Sequence, residues 1–402
     1  MELKIWYAAT FLVFTAFTFS MIQPPPEPEW QRTEVVEDVD QRFLDLKIAD
    51  DQLNLVYRNT SDTGVLLKTK DLQTSLTDSA VSIITPNTWN HRTIVDTQPG
   101  SGGYLSAAEI SGELMVAYQD SSVGSEKVVL ASRNGTEWLT ETVEGVRGGG
   151  VNVGMYTSLT SYQENPMVLY HSPNQGLKAA RKTDGEWSKQ VIADDMGWFT
   201  STTSCGDEVQ AAYRGRNDKQ LKISSFDGSW ITEETNSTVK SSTSIDNQNC
   251  EPHMLYLSES EQITYRNPEG SEQKLADSDY SRVSIDMAEE VVHTSYYHYG
   301  EGIFHAEKTG EGWSKKKLTN SSNTAEYNDI AVDELGNVHL VYAQNSDIIH
   351  AEKNTGTVKN LRKLQDLGQI LFGSILLGIL ANLGRKPVFR NQMAEVLSLL
   401  RR

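Results

Sequence analysis

The chain has few cysteines, a deficit of positive charge and no compact catalytic motif, and each shortage removes a class of function. Lys+Arg number 36 against 54 Asp+Glu, and the net charge of −18 argues against nonspecific nucleic-acid binding, which needs a basic footprint. The histidines are scattered, with no His-Glu-any-any-His run and no paired cysteine ligands, so no metal site is assigned. No Gly-any-Ser-any-Gly elbow occurs. The run Gly148–Gly150 is not followed by the lysine and helix that a phosphate loop requires. Asp333-Glu334-Leu335-Gly336-Asn337 is too poor in ligands for a calcium loop. No catalytic residue and no cofactor is assigned, and enzymatic activity stays undecided, with the balance against it.

What the chain does have is a repeat. Tyr170 and Trp187, Tyr213 and Trp230, and Tyr296 and Trp313 are each 17 residues apart. An aromatic residue also stands 14 positions before the tyrosine in Phe43/Tyr57, Tyr104/Tyr118, Tyr156/Tyr170 and Phe199/Tyr213. Later copies drift, with Tyr280 before Tyr296 and Tyr327 before Tyr342. Between the aromatics, period-two alternation around a polar turn predicts a hairpin; a third strand, an Asp-Gly turn and a fourth strand opened by the tryptophan follow. Four short antiparallel strands per unit make a propeller blade. The marker tyrosines Tyr57, Tyr118, Tyr170, Tyr213, Tyr256, Tyr296 and Tyr342 are separated by 61, 52, 43, 43, 40 and 46 residues. A four-stranded blade takes ~40–45 residues. The expectation is therefore an all-β, seven-bladed β-propeller, or six blades if the first, stretched unit is not one. These aromatics are read as packing between blades. Trp30 and its neighbours match the fourth strands, and the last unit lacks its tryptophan, so an N-terminal strand is expected to close the ring and remove two sheet edges.

The two ends lie outside the repeat. Residues 1–22 carry an uncharged apolar stretch read as a secretory signal or signal anchor helix, and 23–28 form a proline-rich linker. The propeller is assigned to 29–356 and a juxtamembrane linker to 357–366. Residues 367–383 are read as a transmembrane or membrane-associated helix, and 384–402 as a basic cytoplasmic tail. From Thr357 onward eight basic residues face two acidic ones, so the body is acidic and the tail basic. This places the propeller outside a cell surface or envelope membrane. A stripe of Ser374 and Gly378 suits helix packing and a homo-oligomer.

Cys205 and Cys250 fall in equivalent turns of consecutive units, where one disulfide between blades is geometrically reasonable. Glycosylation sequons occur at Asn59, Asn134, Asn236 and Asn320, all expected in loops or turns. One loop face around the central channel is the default binding surface, with candidates His171, Trp198, Arg214, Arg216, Arg282, Tyr297, His298 and Tyr299.

The turns Ser132-Arg-Asn134-Gly135-Thr-Glu-Trp138, Ser225-Phe-Asp227-Gly228-Ser-Trp230 and Asp184-Gly185-Glu-Trp187 resemble shortened Asp-boxes of the sialidase-like propellers. That resemblance covers residues 29 to 355 at the level of the repeat alone. It implies an arginine cluster and a tyrosine nucleophile assisted by a carboxylate. Only Arg282 stands at a channel-lining position, where other units have Asp45, Ser106, Ser158, Ser201 and Asp329, so the catalytic constellation does not carry over. The expected function is a membrane-anchored recognition or adhesion module for a glycan or protein ligand. A sialidase-like glycan-acting enzyme and a laterally assembling envelope protein are the alternatives.

Overall fold

The computed structural model describes residues 29–37, 43–59, 64–72, 88–90, 92–98, 100–122, 126–145, 153–194, 197–288, 290–310, 312–319 and 324–355. The expected N-terminal segment, proline-rich linker, C-terminal helix and basic tail lie outside them, as does Asn320. Among the described residues no helix is long and apolar enough to cross a membrane.

The fold is all-β. Strands β1 (Trp30–Val36), β2 (Leu44–Ala49), β3 (Gln52–Asn59), β4 (Gly64–Asp71) and β5 (Thr93–Asp96) open the chain. Then come β6 (Gly103–Ile110), β7 (Glu113–Asp120), β8 (Lys127–Asn134), β9 (Glu137–Glu144), β10 (Met155–Tyr162), β11 (Asn165–Ser172), β12 (Gly176–Thr183) and β13 (Glu186–Ala193). The middle holds β14 (Trp198–Cys205), β15 (Glu208–Arg214), β16 (Gln220–Phe226), β17 (Trp230–Gln248), β18 (Glu251–Ser258), β19 (Gln262–Arg266) and β20 (Glu272–Asp277). The last are β21 (Val283–Ala288), β22 (Val291–His298), β23 (Gly302–Thr309), β24 (Gly312–Lys317), β25 (Thr324–Val332), β26 (Val338–Gln344) and β27 (Asp347–Lys353).

Strands β2 to β5, β6 to β9, β10 to β13 and β21 to β24 each form a four-stranded antiparallel meander. Strands β14 to β20 form one seven-stranded sheet, because the 19-residue β17 pairs with β16 along its first part and with β18 along its second. In the remaining sheet β1 runs antiparallel to β27, Trp30 opposite Lys353, so the N-terminal strand completes the sheet of β25, β26 and β27. The outer edge of β27 is thereby paired.

The repeat drives this arrangement through burial. All seven marker tyrosines are fully buried, each burial contributing about 2–3 kcal/mol before conformational entropy is charged against it. Three of their hydroxyls are tied to carboxylates: Tyr118 donates to Asp96 at 2.7 Å, Tyr256 to Glu272 at 2.7 Å, and Tyr170 to Glu144. The tryptophans Trp138, Trp187, Trp230 and Trp313 pack half-buried against the clusters of core residues, as Trp30 and Trp89 do. Asp184 and Gly185 both take positive φ (52° and 83°), the two-residue turn that an Asp-Gly pair favours between β12 and β13.

The strands β2, β6, β10, β14, β17, β21 and β25 lie side by side in that order, and β25 returns to β2. One side chain on each bonds the next strand. Asp45 accepts from Ala107 N (2.7 Å), Ser106 from Leu159 N (3.0 Å), Ser201 from Ile245 N (3.2 Å) and Ser244 from Ile285 N (3.1 Å). Ser158 meets the Thr202 hydroxyl at 2.8 Å, and Ser284 donates to Asp329 Oδ1 at 2.5 Å. Asp329 Oδ2 accepts from Leu46 N at 2.7 Å and completes the cycle. The five bonds to backbone N–H groups supply partners where one strand turns away from the next and leaves no ladder partner. A disulfide joins Cys205, at the end of β14, to Cys250 in the turn between β17 and β18, with Cα atoms 5.3 Å apart.

Two sequons depart from the loop expectation. Asn59 ends β3 with its side chain buried, leaving no room there for a glycan. Asn236 is exposed but lies inside β17, because that strand runs unbroken where a loop between units was expected. Asn134 is exposed at the end of β8.

Candidate functional site

Two residues before each stitching position, the same seven strands or their entries carry Phe43, Tyr104, Tyr156, Phe199, Ser242, Arg282 and Tyr327. Arg282 stands 14 residues before Tyr296, so this unit keeps the common spacing and does not drift. Its place among the channel-lining residues is corrected accordingly: Ser284, not Arg282, is the counterpart of Asp45, Ser106, Ser158, Ser201 and Asp329.

Tyr104, Tyr156, Phe199 and Ser242 have φ of 48°, 55°, 55° and 58°. The pairing register slips around the three aromatics, between Gly103 and Ser106, Met155 and Ser158, and Trp198 and Ser201. These are β-bulges, which re-aim a side chain that regular alternation would bury or expose. A left-handed backbone at a bulky residue costs about 1–3 kcal/mol and tends to mark functional sites.

The three re-aimed aromatics join Phe43, Arg282 and Tyr327 in a closed ring. Ring centroids lie 5.3 Å apart for Phe43 and Tyr104, 5.1 Å for Tyr104 and Tyr156, and 4.9 Å for Tyr156 and Phe199. Ser242 interrupts the aromatic series; its hydroxyl accepts from Val283 N at 3.1 Å. The Arg282 guanidinium fills the gap, 5.7 Å from the Phe199 ring and 5.1 Å from the Tyr327 ring. Tyr327 returns to Phe43 at 6.0 Å. All six are half-buried, so their faces are neither lost to the core nor fully in water. Burial, then Tyr104, raises the Tyr156 pKa despite Arg282 and Arg214, so its hydroxyl stays protonated and can donate.

The ring surrounds a mouth of about 160 Å³. Below it lies a channel cavity of about 420 Å³ that shares Leu44, Leu105, Thr157, Thr200 and Thr243 with the mouth. Glu109 lines this cavity, and four aspartates, Asp45, Asp246, Asp286 and Asp329, surround the Lys47 ammonium in it. Enclosure, then Asp329, pushes the Asp45 pKa well up; enclosure, then Asp246, does the same for Asp286. Enclosure alone would lower the Lys47 pKa, but Asp45, Asp286, Asp329 and Asp246 outweigh it and raise it. These carboxylates are also strand latches: besides the bonds above, Asp286 accepts from Val332 N.

Of the eight residues expected from sequence, four (His171, Arg214, Tyr297 and His298) lie one layer outside the ring, on the second strand of a sheet. His171 is fully buried beside Tyr156, centroids 6.5 Å apart, and burial followed by Arg216 lowers its pKa to about 4. Arg214 is 6% exposed; its Nε donates to Val239 O at 2.7 Å and its guanidinium covers Trp198 at 5.2 Å. Both are therefore supports of the mouth rather than exposed ligand groups. Trp198 is half-buried and reaches Tyr156 at 6.4 Å; Arg216 is exposed. Tyr297 packs on the core of the last sheets, with its backbone N–H donating to Arg282 O at 3.1 Å. His298 is half-buried on Phe304, and Tyr299 is 59% exposed. Only Arg282 of the expected set belongs to the ring. The ring aromatics carry a signal in the sequence, glycines just before them (Gly102-Gly103, Gly154, Gly197), which mark bulges where a core strand would not need them.

No family model and no curated protein sequence matches the chain. Solved structures do match. A catalytically inactive virginiamycin B lyase from Staphylococcus aureus, solved with quinupristin, aligns at TM-score 0.54 and 9% identity, covering 81% of this chain and 99% of that one. A streptogramin B lyase aligns at TM-score 0.53 and 10% identity, covering 81% and 98%. The Aleuria aurantia lectin, described as a six-bladed β-propeller with a novel fucose recognition mode, aligns at TM-score 0.44 and 10% identity, covering 62% and 90%. These neighbours are β-propeller proteins, and at such identities the likeness is one of fold alone.

Proposed function

We propose that the protein is a recognition module that binds a glycan at the aromatic mouth of its channel. The observation that carries this reading is the closed ring of five aromatic residues and Arg282, three of the aromatics held there at positive φ. Aromatic faces offer apolar area to the C–H side of a sugar, while the tyrosine hydroxyls and the guanidinium offer donors to its hydroxyls. An aromatic ring alone would equally suit a quaternary ammonium, but a guanidinium set into it repels a cation. A mouth of about 160 Å³ suits one sugar ring or one side chain rather than a flat protein surface.

In the same reading the fold is a seven-bladed propeller, with β17 shared between two blades. The sequence supports export and a membrane anchor at 367–383, with the propeller outside. The four aspartates around Lys47 are spent on strand contacts, which favours binding over hydrolysis. The test is a glycan array with the full chain, run beside a fluorogenic glycosidase panel. Binding without turnover is expected. Turnover would favour the enzyme alternative, and silence on both would favour a protein partner or an envelope role.

A further inference from the structure

Six of the eight histidines lie in the last three units, from His253 onward. Three of them, His253, His293 and His339, stand three residues before a marker tyrosine. In the last two sheets a second histidine and a glutamate join them across the hairpin. His293 on β22 is opposite Glu307 on β23, with His305 two residues before that glutamate. His339 on β26 is likewise opposite Glu352 on β27, with His350 two residues before it. The geometry repeats as well as the sequence. His293 Nδ1 is 3.2 Å from His305 Nε2, and His339 Nδ1 is 3.2 Å from His350 Nε2. In each group the three donor atoms lie within 4.8 Å of one another.

We propose that the His293–His305–Glu307 and His339–His350–Glu352 clusters are two equivalent sites for a divalent transition-metal ion of the zinc class. Tetrahedral zinc bonded to nitrogen at 2.0–2.1 Å holds two nitrogens about 3.3 Å apart, and the observed 3.2 Å matches that within a small side-chain movement. Each carboxylate meets a lysine through Oε2, Glu307 that of Lys353 at 3.1 Å and Glu352 that of Lys70, which assigns Oε1 as the ligating oxygen. Ligating carboxylates are commonly held by a second partner in this way. The four imidazoles are buried, and Trp30 and Trp89 wall them edge-on at 5.0 Å from His305 and 5.3 Å from His350. Water supplies the fourth ligand. In the second cluster Asp333 Oδ2 stands 3.7 Å from His339 Nε2, on the far side of the ring from the ligating nitrogen and beyond hydrogen-bond reach.

The third sheet with this histidine supplies an internal control. There His253 Nδ1 faces the Tyr265 hydroxyl at 2.6 Å instead of a second imidazole, and that pair completes no ligand set. The predicted stoichiometry is therefore two ions per chain. Because β27 pairs with the N-terminal strand, metal in the second cluster would clasp the sheet that completes the chain.

The experiment is titration of the full chain, stripped with a chelator, with Zn²⁺ by calorimetry and with Co²⁺ by absorbance. The expected results are two equivalents per chain, the d–d absorption of tetrahedral Co²⁺, and a higher unfolding midpoint with Zn²⁺. Glu352→Gln is expected to leave one equivalent, and Glu307→Gln with Glu352→Gln none. Any wild-type stoichiometry other than two overturns the proposal, as do two equivalents persisting in the double variant. The wild-type titration reads the stoichiometry even where a variant fails to fold.

Discussion

Phe43 and Asp45 are two residues apart, and so are Tyr104 and Ser106, Tyr156 and Ser158, and Phe199 and Ser201, yet the two rows meet opposite fates. The inner row is consumed: its oxygens accept N–H groups or meet hydroxyls of the next strand, and they close a cycle through Asp329 and Leu46. In the outer row Tyr104, Tyr156 and Phe199 are set aside by bulges and left-handed backbone, and with Phe43 their faces stay half-exposed around a mouth. The contrast teaches how to separate structure from function on a repeated strand. A side chain whose polar atoms are all answered by a neighbouring strand holds the fold, and one kept accessible at a cost in backbone strain is available to a ligand.

The largest effect should come from cutting the inner row. Asp329→Ala removes the acceptor for Leu46 N and Ser284 Oγ together and is expected to cost about 3 kcal/mol in urea unfolding; Asp329→Asn, which keeps one acceptor, should cost less. Next comes His171, whose pKa is lowered to about 4 by burial, then by Arg216. A histidine lowered on folding contributes stability that is present above its unfolded pKa of about 6.5 and lost as pH falls toward 4. Acidification through that window should cost on the order of 2 kcal/mol, and His171→Gln should flatten the slope of the melting temperature against pH.

Cutting the outer row should leave the fold standing. Arg282→Gln is expected to weaken glycan binding about tenfold, or about 1.4 kcal/mol, with a urea midpoint close to wild type. The smallest effect belongs to Lys47, which the channel water reaches. Lys47→Met should cost about 1 kcal/mol at pH 7. The loss should deepen as pH rises, because Asp45 and Asp286 have raised pKa values and their stability contribution is lost as they ionise. A midpoint that improves with rising pH would contradict the account of the channel.

Most of the architecture was legible because burial writes it into the sequence at fixed spacing. Tyr57 to Tyr342 announce the sheets, and Trp30 announces the strand that completes the last one. The site was harder to read. Tyr104 and Tyr156 look like core residues at repeat spacing, and only their φ values and half-exposure distinguish them from Tyr118 and Tyr170. The eye goes instead to charged and aromatic residues after the marker tyrosine, such as His171 and Arg214, which the fold buries one layer out. The paired histidines escape for another reason. His305 and Glu307 stand two residues apart, but His293 lies across a hairpin from them, so the sequence shows only part of the ligand set that β22 and β23 bring together.

The most direct test of the central claim is to compare the full chain with Tyr156→Gly on the same glycan array, with melting curves measured in parallel. Glycine accepts the φ of 55° without strain, which offsets much of the lost contact area. The account predicts a melting temperature near wild type with glycan binding abolished. Binding that survives in a folded Tyr156→Gly protein would contradict the assignment of the aromatic mouth as the ligand site.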